Sequence, residues 1–293
     1  MRAVKELANA KINLYLDVIA KRDDGFHDIK TVMHSVSLFD TITVSAEPAQ
    51  VSSVKIYVEG TRFLPTDTKN LAVRAANLFL TRAALSAAVE IKLKKRIPIA
   101  AGLAGGSSDA AAVLRAMNKL FDKLFSQRAL HAMAAELGSD VSYCLSGKTA
   151  LCEGRGDIIN IFAQNPQFFF VIAVANEYVS TPAAYKALDN IYSDFDGSVP
   201  TDTGNSYSSL IEGIKCGRIE QNALFNVFES AVLSECPGAS NAKKRLIELG
   251  AKGALMSGSG PSVFGVFDSF QAAKDACMLL RREKYKAYYV KSV

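Results

Sequence analysis

The sequence lacks any long apolar run and any cysteine arrangement typical of a metal site or a disulfide framework. Its longest apolar stretch, FFFVIAVA at 168–175, is far shorter than the ~20 residues that a helix needs to cross a bilayer. The cysteines show no C-x-x-C pair and no zinc-type spacing with the histidines; they are Cys144, Cys152, Cys216, Cys236 and Cys277. The charged N-terminus offers no signal-peptide core. We therefore expect a cytoplasmic protein with buried, reduced thiols, no metal ligands and no membrane segment.

Basic residues are also not organised for nucleic-acid binding. The chain of 293 residues carries a net charge of only +5, and no basic stripe contains interleaved aromatic residues. The densest cluster is Lys92, Lys94, Lys95 and Arg96. It is typical of the solvated face of an edge strand, although it could also help to attract a polyanionic nucleotide. With nearly half its residues apolar, the chain has enough apolar material for one large or two ordinary domains.

The two common phosphate-binding strings are missing, but a third kind of glycine loop is present. Neither G-x-x-x-x-G-K-[ST] nor G-x-G-x-x-G occurs. PIAAGLAGGSSDAAA at 98–112 instead predicts a loop between a strand and a helix N-terminus, whose unpaired N–H groups and dipole favour an anion. Gly102, Gly105 and Gly106 allow positive φ and close backbone approach, Ser107 and Ser108 can cap the helix or bond a phosphate, and Asp109 in the first turn suits the dipole. The alternative is a tight turn into a capped helix.

Hydrophobic periodicity predicts a mixed architecture along the chain. Alternating segments predict strands over 10–19, 31–46, 53–60 and 89–95, whereas helical spacing predicts helices from Asn70, over 107–120 and over 129–137. TALCEGRGDIINI at 149–161 predicts a hairpin. The second half predicts a strand at 168–175, a helix from Thr181, a polar stretch at 193–205, helices near 206, 223 and 240, and a final strand, strand, helix, strand series. This order is typical of an α+β sandwich.

Five motifs, taken in order, resemble the GHMP kinase superfamily. AKINLYLDV (10–18), the glycine loop and LMSGSGPSVFGVF (255–267) are similar to its three motifs. DGFH (24–27) and GSDVSYCLSG (138–147) complete the order found in members that act on 4-diphosphocytidyl-2-C-methylerythritol. The resemblance implies an α+β, two-domain GHMP kinase fold with the active site in the cleft between domains. The implied domains are 1–163, with the ATP loop, and 164–293, an α+β sandwich.

The resemblance also implies an activity. It is ATP-dependent phosphorylation of the 2-hydroxyl of that cytidine diphosphate sugar alcohol, in the non-mevalonate isoprenoid pathway, by a monomer or homodimer that binds no nucleic acid and no membrane. The Mg²⁺ arrives with ATP, and its protein ligands are not assignable. The catalytic lysine falls on Lys11 and the catalytic base on Asp140. The implied ATP-binding residues are Pro98, Ile99, Ala100, Ala101, Gly102, Leu103, Ala104, Gly105, Gly106, Ser107 and Ser108, with Asn70 and Leu71 on the adenine side.

Without the resemblance, the sequence pattern leaves the catalytic roles of Lys11 and Asp140 open. Period two allows Lys11, Asn13, Tyr15 and Asp17 to face solvent while Ile12, Leu14 and Leu16 face inward. Asp140, after Gly-Ser, is typical of a turn or an N-cap.

The resemblance assigns the acceptor to a separate set of residues, namely Asn13, Phe26, His27, Thr181 and Tyr185. His27 would read the cytosine edge, and Phe26 and Tyr185 would sandwich the ring. The two aromatic types are exchanged here, because these kinases often have tyrosine at the first position and phenylalanine at the second. A kinase for another small alcohol, such as homoserine or mevalonate, and a catalytically silent metabolite-binding protein are the alternatives. DGFH and Tyr185 argue against the first, and retention of Lys11 and Asp140 argues against the second.

Overall fold

Two compact units make up the part of the chain that the computed structural model describes, residues 2–192 and 205–293. Each unit is assembled from separated segments. Unit 1 comprises Met1–Ala10, Leu38–Ile99 and Ala104–Gly147, and unit 2 comprises Lys11–Ser37, Ala100–Leu103 and Lys148–Val293. The domain boundary at 163/164 stays a prediction. The polar stretch predicted at 193–205 lies, except for its last residue, outside the described residues.

Strands and helices occupy most of both units. The strands are β1 (Ala3–Lys21), β2 (His27–Pro48), β3 (Ser53–Glu59), β4 (Ala87–Lys94), β5 (Thr149–Glu153), β6 (Ile158–Ile161), β7 (Phe169–Val174), β8 (Phe225–Asn226), β9 (Gly253–Met256), β10 (Ser262–Phe267) and β11 (Lys286–Lys291). The helices are α1 (Leu71–Ala83), α2 (Gly105–Leu120), α3 (Gln127–Leu137), α4 (Ser139–Ser146), α5 (Thr181–Tyr192), α6 (Asn205–Cys216), α7 (Glu229–Val232), α8 (Pro237–Glu248) and α9 (Phe270–Arg282), with a 3₁₀ turn at Gln221–Ala223.

Unit 1 is a sheet covered by helices. Its β4 pairs in parallel with β3 and antiparallel with the second half of β2, so that Ile91 lies opposite both Ile56 and Val44. One apolar core joins this sheet to α1, α2, α3 and α4, with the fully buried Phe79 of α1 within it. Because β4 has a neighbour on each side, the edge-strand interpretation of its basic cluster is wrong. The cluster divides instead: Lys92 and Lys94 are largely exposed and Lys95 is buried.

Unit 2 contains an antiparallel sheet in the order β11-β7-β10-β9, against which α8 and α9 pack. In the same unit, the first half of β2 pairs with β5, β5 forms the predicted hairpin with β6, and β1 pairs in parallel with β8. The apolar core lies between the sheet and its helices, and includes Val171, Met256 and Leu280. The hairpin, the strand at 168–175, the helices from Thr181 and near 206 and 240, and the final strand, strand, helix, strand series are confirmed. The helix predicted near 223 is wrong, because the chain forms only a 3₁₀ turn there before it enters β8.

Two composition-based expectations meet a mixed outcome. None of the five cysteines, all within the described ranges, forms a disulfide. Only Cys152, Cys236 and Cys277 are buried, whereas Cys144 is half-buried and Cys216 is exposed. Burial of all five was therefore a wrong expectation, because α6 ends with Cys216 on its outer side. Within the described ranges, no helix combines the length and apolarity needed to span a bilayer.

Candidate active site

Lys11 lies in β1 of unit 2 and is buried, with only 4% of its surface exposed. Its Nζ donates to Asn13 Oδ1 at 2.7 Å and to the Gly102 carbonyl at 3.1 Å. Asn13 Nδ2 in turn donates to Thr31 Oγ1 at 2.9 Å. The solvent-facing alternative for Lys11 is therefore wrong. Both faces of β1 are covered here, so alternation carries no information about burial.

The glycine loop adopts left-handed backbone at three residues, and only one of them is a glycine. Ala100, Gly102 and Ala104 have φ values of 52°, 74° and 55°. A Cβ on Gly102 would lie 2.2 Å from the Ser257 carbonyl, so this position excludes every other residue. Gly105 and Gly106 make no use of the positive φ that glycine allows, because α2 begins at Gly105 and both residues have helical backbone.

The third motif meets the glycine loop within unit 2. Ser257 Oγ donates to the Gly102 carbonyl at 3.0 Å. Gly258 has a φ of 59°, and a Cβ there would lie 3.4 Å from Lys11 Nζ. Asn226 Nδ2 donates to the carbonyls of Met256 and Gly258, at 2.7 and 2.9 Å. Sequence reasoning missed Asn226, which belongs to no motif, yet it ties down the turn that faces Lys11.

In unit 1, a buried ionic cluster contacts α2 close to its N-terminus. Lys95 Nζ donates to Asp40 Oδ2 at 2.5 Å and to Asp109 Oδ2 at 2.7 Å. Asp40 Oδ1 also accepts from the backbone N–H groups of Arg96 and Ile97. Burial raises the pKa of Asp109 to about 7, and the attraction of Lys95 opposes that rise. Asp109 therefore holds Lys95 below the helix, rather than complementing the dipole from the first turn as expected.

The serines of the loop do not cap α2. Its N-cap position is Ala104, which makes no side-chain cap. Ser108 is buried in the helix and donates through Oγ to the Asn9 carbonyl at 2.7 Å. The capping predicted for Ser107 and Ser108 is therefore wrong, because the helix starts two residues earlier than predicted. Its first N–H groups receive no side-chain acceptor from the loop, which leaves them available to an anion.

The other implied residues of unit 1 lie at helix starts. Asn70 caps α1 by accepting from Ala72 N–H at 2.9 Å, and its Nδ2 donates to the Pro65 carbonyl at 2.8 Å. A Cβ on Gly106 would have only Leu71 Cδ1 nearby, at 3.8 Å, so Leu71 and Gly106 are neighbours. Asp140 lies in the first turn of α4, behind Gly138. Acidic residues are stabilised in the first turn of a helix, so the position suits an aspartate.

The remaining acceptor residues of unit 2 lie in three separate contacts. His27 and Tyr185 stack with ring centroids 4.7 Å apart, and Tyr185 also contacts the edge of Phe228. Thr181 Oγ1 lies 2.9 Å from Ser259 Oγ of the third motif. Phe26 is 56% exposed, and the Arg155 guanidinium lies 5.1 Å from its ring centroid.

An ion pair that sequence reasoning missed also contacts His27. His27 Nε2 lies 2.7 Å from Asp189 Oδ1, and Lys21 Nζ lies 2.6 Å from Asp189 Oδ2. A signal for Asp189 was present in the sequence, because it follows Tyr185 by four positions on a predicted helix and therefore shares its face.

Comparison with known proteins supports the resemblance seen in the motifs. Residues 70–148 match the GHMP kinases N terminal domain, and residues 215–286 match the GHMP kinases C terminal domain. A 4-diphosphocytidyl-2-C-methyl-D-erythritol kinase of Caldicellulosiruptor saccharolyticus is 43% identical over 272 residues, which cover 92% of this chain and 90% of that protein. The chain belongs to the 4-diphosphocytidyl-2-C-methyl-D-erythritol kinase family.

Further members agree with this assignment. The relative from Gloeobacter violaceus is 39% identical over 97% of this chain and 92% of its own length. A crystal structure of 4-(cytidine 5'-diphospho)-2C-methyl-D-erythritol kinase superimposes with a TM-score of 0.80 at 33% identity, covering 99% of this chain and 100% of that one. Homoserine kinase from Cytophaga hutchinsonii, at 20% identity and a TM-score of 0.72, shares the fold. As a member of this kinase family, the chain is an ATP-dependent phosphotransferase with a small-molecule acceptor.

Proposed function

We propose that this enzyme transfers the γ-phosphoryl group of ATP to the 2-hydroxyl of 4-diphosphocytidyl-2-C-methyl-D-erythritol, with Lys11 and Asp140 as catalytic residues. The observation that carries the proposal is the buried Lys11 ammonium, which faces both the glycine loop and Gly258. A buried ammonium is costly unless it has partners or a function. A kinase requires a cation near the charge that develops during phosphoryl transfer.

In the proposed reaction, the acceptor oxygen attacks the γ-phosphorus while the bond to the β,γ-bridging oxygen breaks. Asp140 accepts the hydroxyl proton, and ADP leaves. Lys11 stabilises the negative charge that builds on the reacting oxygens, and Asn13 Oδ1 and the Gly102 carbonyl hold its ammonium in place. Mg²⁺ enters as the counter-ion of ATP. Catalysis then consists of positioning and electrostatic stabilisation, with a single proton transfer.

The loop from Pro98 to Ser108 is the proposed phosphate-binding element. Two features support it: the start of α2 receives no side-chain cap, and Gly106 is exposed with open space where a Cβ would lie. A phosphate can approach such a helix N-terminus along the dipole. Leu71, beside Gly106, would line the adenine side together with the α1 N-cap residue Asn70.

Replacement of Gly106 by Val tests the loop assignment. Because φ is helical and the nearest atom to a new Cβ is 3.8 Å away, the fold should persist, while a branched side chain meets the bound phosphates. We expect the KM for ATP to rise by roughly ten- to hundredfold, with little change in the thermal midpoint. Initial rates at varied ATP concentration give the KM, and calorimetric scans give the thermal midpoint.

The matched control for Gly106→Val is Arg128→Val, which places the same branched residue in the exposed first turn of α3. It should leave the KM for ATP unchanged. Gly105 is a poorer probe than Gly106, because a Cβ there would lie 2.9 Å from the buried Lys95 Nζ. An unchanged KM in Gly106→Val would show that the phosphates bind elsewhere.

The cytosine assignment has its own test. A site that hydrogen-bonds the base edge leaves polar groups unpaired with the wrong base, at roughly 1–3 kcal/mol for each buried group. We therefore expect kcat/KM to favour the cytidine substrate over its uridine analogue by about tenfold or more. His27→Ala should lose most of this preference and keep the KM for ATP, because stacking barely discriminates between bases.

Phe26→Ala should weaken the binding of the cytidine substrate and of its uridine analogue to the same extent, because a ring that only stacks does not distinguish the two bases. The control is Phe63→Ala, which removes a 90% exposed ring in unit 1. It should change the binding of neither substrate. Equal wild-type rates with the two analogues would overturn the cytosine assignment and leave a GHMP kinase with another acceptor.

A further inference from the structure

The contact between His27 and Asp189 determines which ring nitrogen of His27 holds a proton. His27 Nε2 lies 2.7 Å from Asp189 Oδ1, and the His27 side chain is only 8% exposed. Burial alone would raise the pKa of Asp189, but hydrogen bonds from Lys21 and His27 outweigh it and lower that pKa. An ionised carboxylate can only accept hydrogen bonds. The hydrogen in this contact therefore lies on Nε2.

In the neutral ring, the second nitrogen is then an acceptor. In a neutral imidazole, a protonated Nε2 leaves the lone pair on Nδ1. Within residues 2–192 and 205–293, nothing hydrogen-bonds to His27 Nδ1. The nitrogen is therefore available to a ligand, and its character as donor or acceptor is set by Asp189 on the far side of the ring.

The surroundings also fix the orientation of the ring and of the carboxylate. Tyr185 stacks on His27 with 27° between the ring planes, and its own ring packs against the buried Phe228. Lys21 Nζ contacts Asp189 Oδ2 at 2.6 Å, which leaves Oδ1 for His27 and offsets the negative charge of Asp189. In protein sites, the carboxylate that orients a functional imidazole is often itself held by a further hydrogen-bonding partner, as Lys21 holds Asp189 here.

We propose that Asp189 is a specificity-determining positioning residue, which holds the His27 proton on Nε2 so that Nδ1 accepts a hydrogen bond from an exocyclic amino group of the base. Cytosine presents an amino donor at C4, where uracil presents a carbonyl acceptor. An acceptor Nδ1 therefore favours cytosine and repels uracil. The inference rests on the proposed cytidine substrate, to which it adds the residue that selects between the two bases.

The test compares kcat/KM for the cytidine substrate and its uridine analogue in four proteins: the wild type, Asp189→Ala, Asp189→Asn and Lys186→Ala. In Asp189→Ala nothing holds the proton on Nε2, so the neutral ring can carry it on Nδ1 instead. We expect the cytidine to uridine ratio to fall by about tenfold, partly through a rise in the uridine rate, which a loss of structure alone would not produce. Asp189→Asn retains a neutral acceptor oxygen and should keep part of the preference. Lys186→Ala, on the exposed side of the same helix, should match the wild type.

A second measurement does not depend on activity. The chain has only three histidines, so nitrogen-15 NMR can assign His27 by difference from His27→Ala. We expect the wild-type spectrum to show a protonated Nε2, and Asp189→Ala to show a mixture of tautomers. A protonated Nδ1 in the wild type, or an unchanged base preference in Asp189→Ala, would overturn this inference and leave the proposed substrate intact. A wild type without base preference would overturn both the cytidine assignment and the role of Asp189.

Discussion

Asp140→Asn is expected to lower kcat by roughly 10²–10⁴-fold, the usual effect of removing a general base, while ATP binds almost as well as to the wild type. Asparagine has nearly the same shape but cannot take up the hydroxyl proton. The side chain occupies the first turn of α4 without acting as its cap, so the variant keeps the helix start as it is. Steady-state kinetics and ATP titration together separate turnover from binding.

The control for Asp140→Asn is Ser139→Ala, which disturbs the same helix start without removing the carboxylate. It should keep most of the turnover. Lys11→Met should lower kcat by a factor in the same range as Asp140→Asn. The double variant should have a kcat little below that of either single variant, because the effects of groups that act together in one step are strongly non-additive. More than a tenth of wild-type turnover in Asp140→Asn would assign Asp140 to the turn alone.

Lys95→Met should destabilise the protein by about 3–5 kcal/mol, because it removes one partner from a buried ionic cluster and leaves the charge of the others uncompensated. The Lys95 side chain is 4% exposed, and those of Asp40 and Asp109 are 0% and 3% exposed. Denaturant unfolding measures the change. Lys92→Met, on the same strand but 68% exposed, should alter the free energy of unfolding by less than about 0.5 kcal/mol.

A neutral replacement of the whole cluster distinguishes an ionic effect from a packing effect. Lys95→Met combined with Asp40→Asn and Asp109→Asn removes all three ionisable groups, and the amide oxygen of Asp40→Asn can still accept hydrogen bonds from the backbone N–H groups of Arg96 and Ile97. We expect the triple variant to recover a large part of the stability that Lys95→Met loses. A triple variant less stable than Lys95→Met would show that the packing of these side chains, and not their charge, is what counts.

Local signals in the sequence predicted the elements well. Ser269 accepts from Ala272 N–H and begins α9 where the apolar spacing predicts it. Asn70 begins α1 in the same way. At the glycine loop the same local reasoning failed, because Ala104 takes the left-handed conformation that glycine usually supplies. The helix therefore begins at Gly105, and both Gly105 and Gly106 become helical.

Burial of charged groups was the part that the sequence could not predict. Lys95 belongs to a run of basic residues that favours exposure, and its partners Asp40 and Asp109 lie 55 and 14 positions away. Likewise, His27 and Asp189 are 162 positions apart. Nothing in a local pattern identifies the partners of Lys95, since only the tertiary fold brings them together, whereas the position of Asp189 four residues after Tyr185 gave at least its helix face. Lys11 was recoverable only because the family resemblance carried information that alternation does not.

The segmented build of the two units bears on how the polypeptide can be cut and rejoined. The chain passes from one unit to the other after positions 10, 37, 99, 103 and 147, so no single break in the backbone separates them. One cleavage between positions 11 and 147 leaves parts of both units on each fragment, and we expect two such fragments to regain structure only by complementing each other. Many native contacts also join distant segments, which makes loop closure costly and favours slow folding.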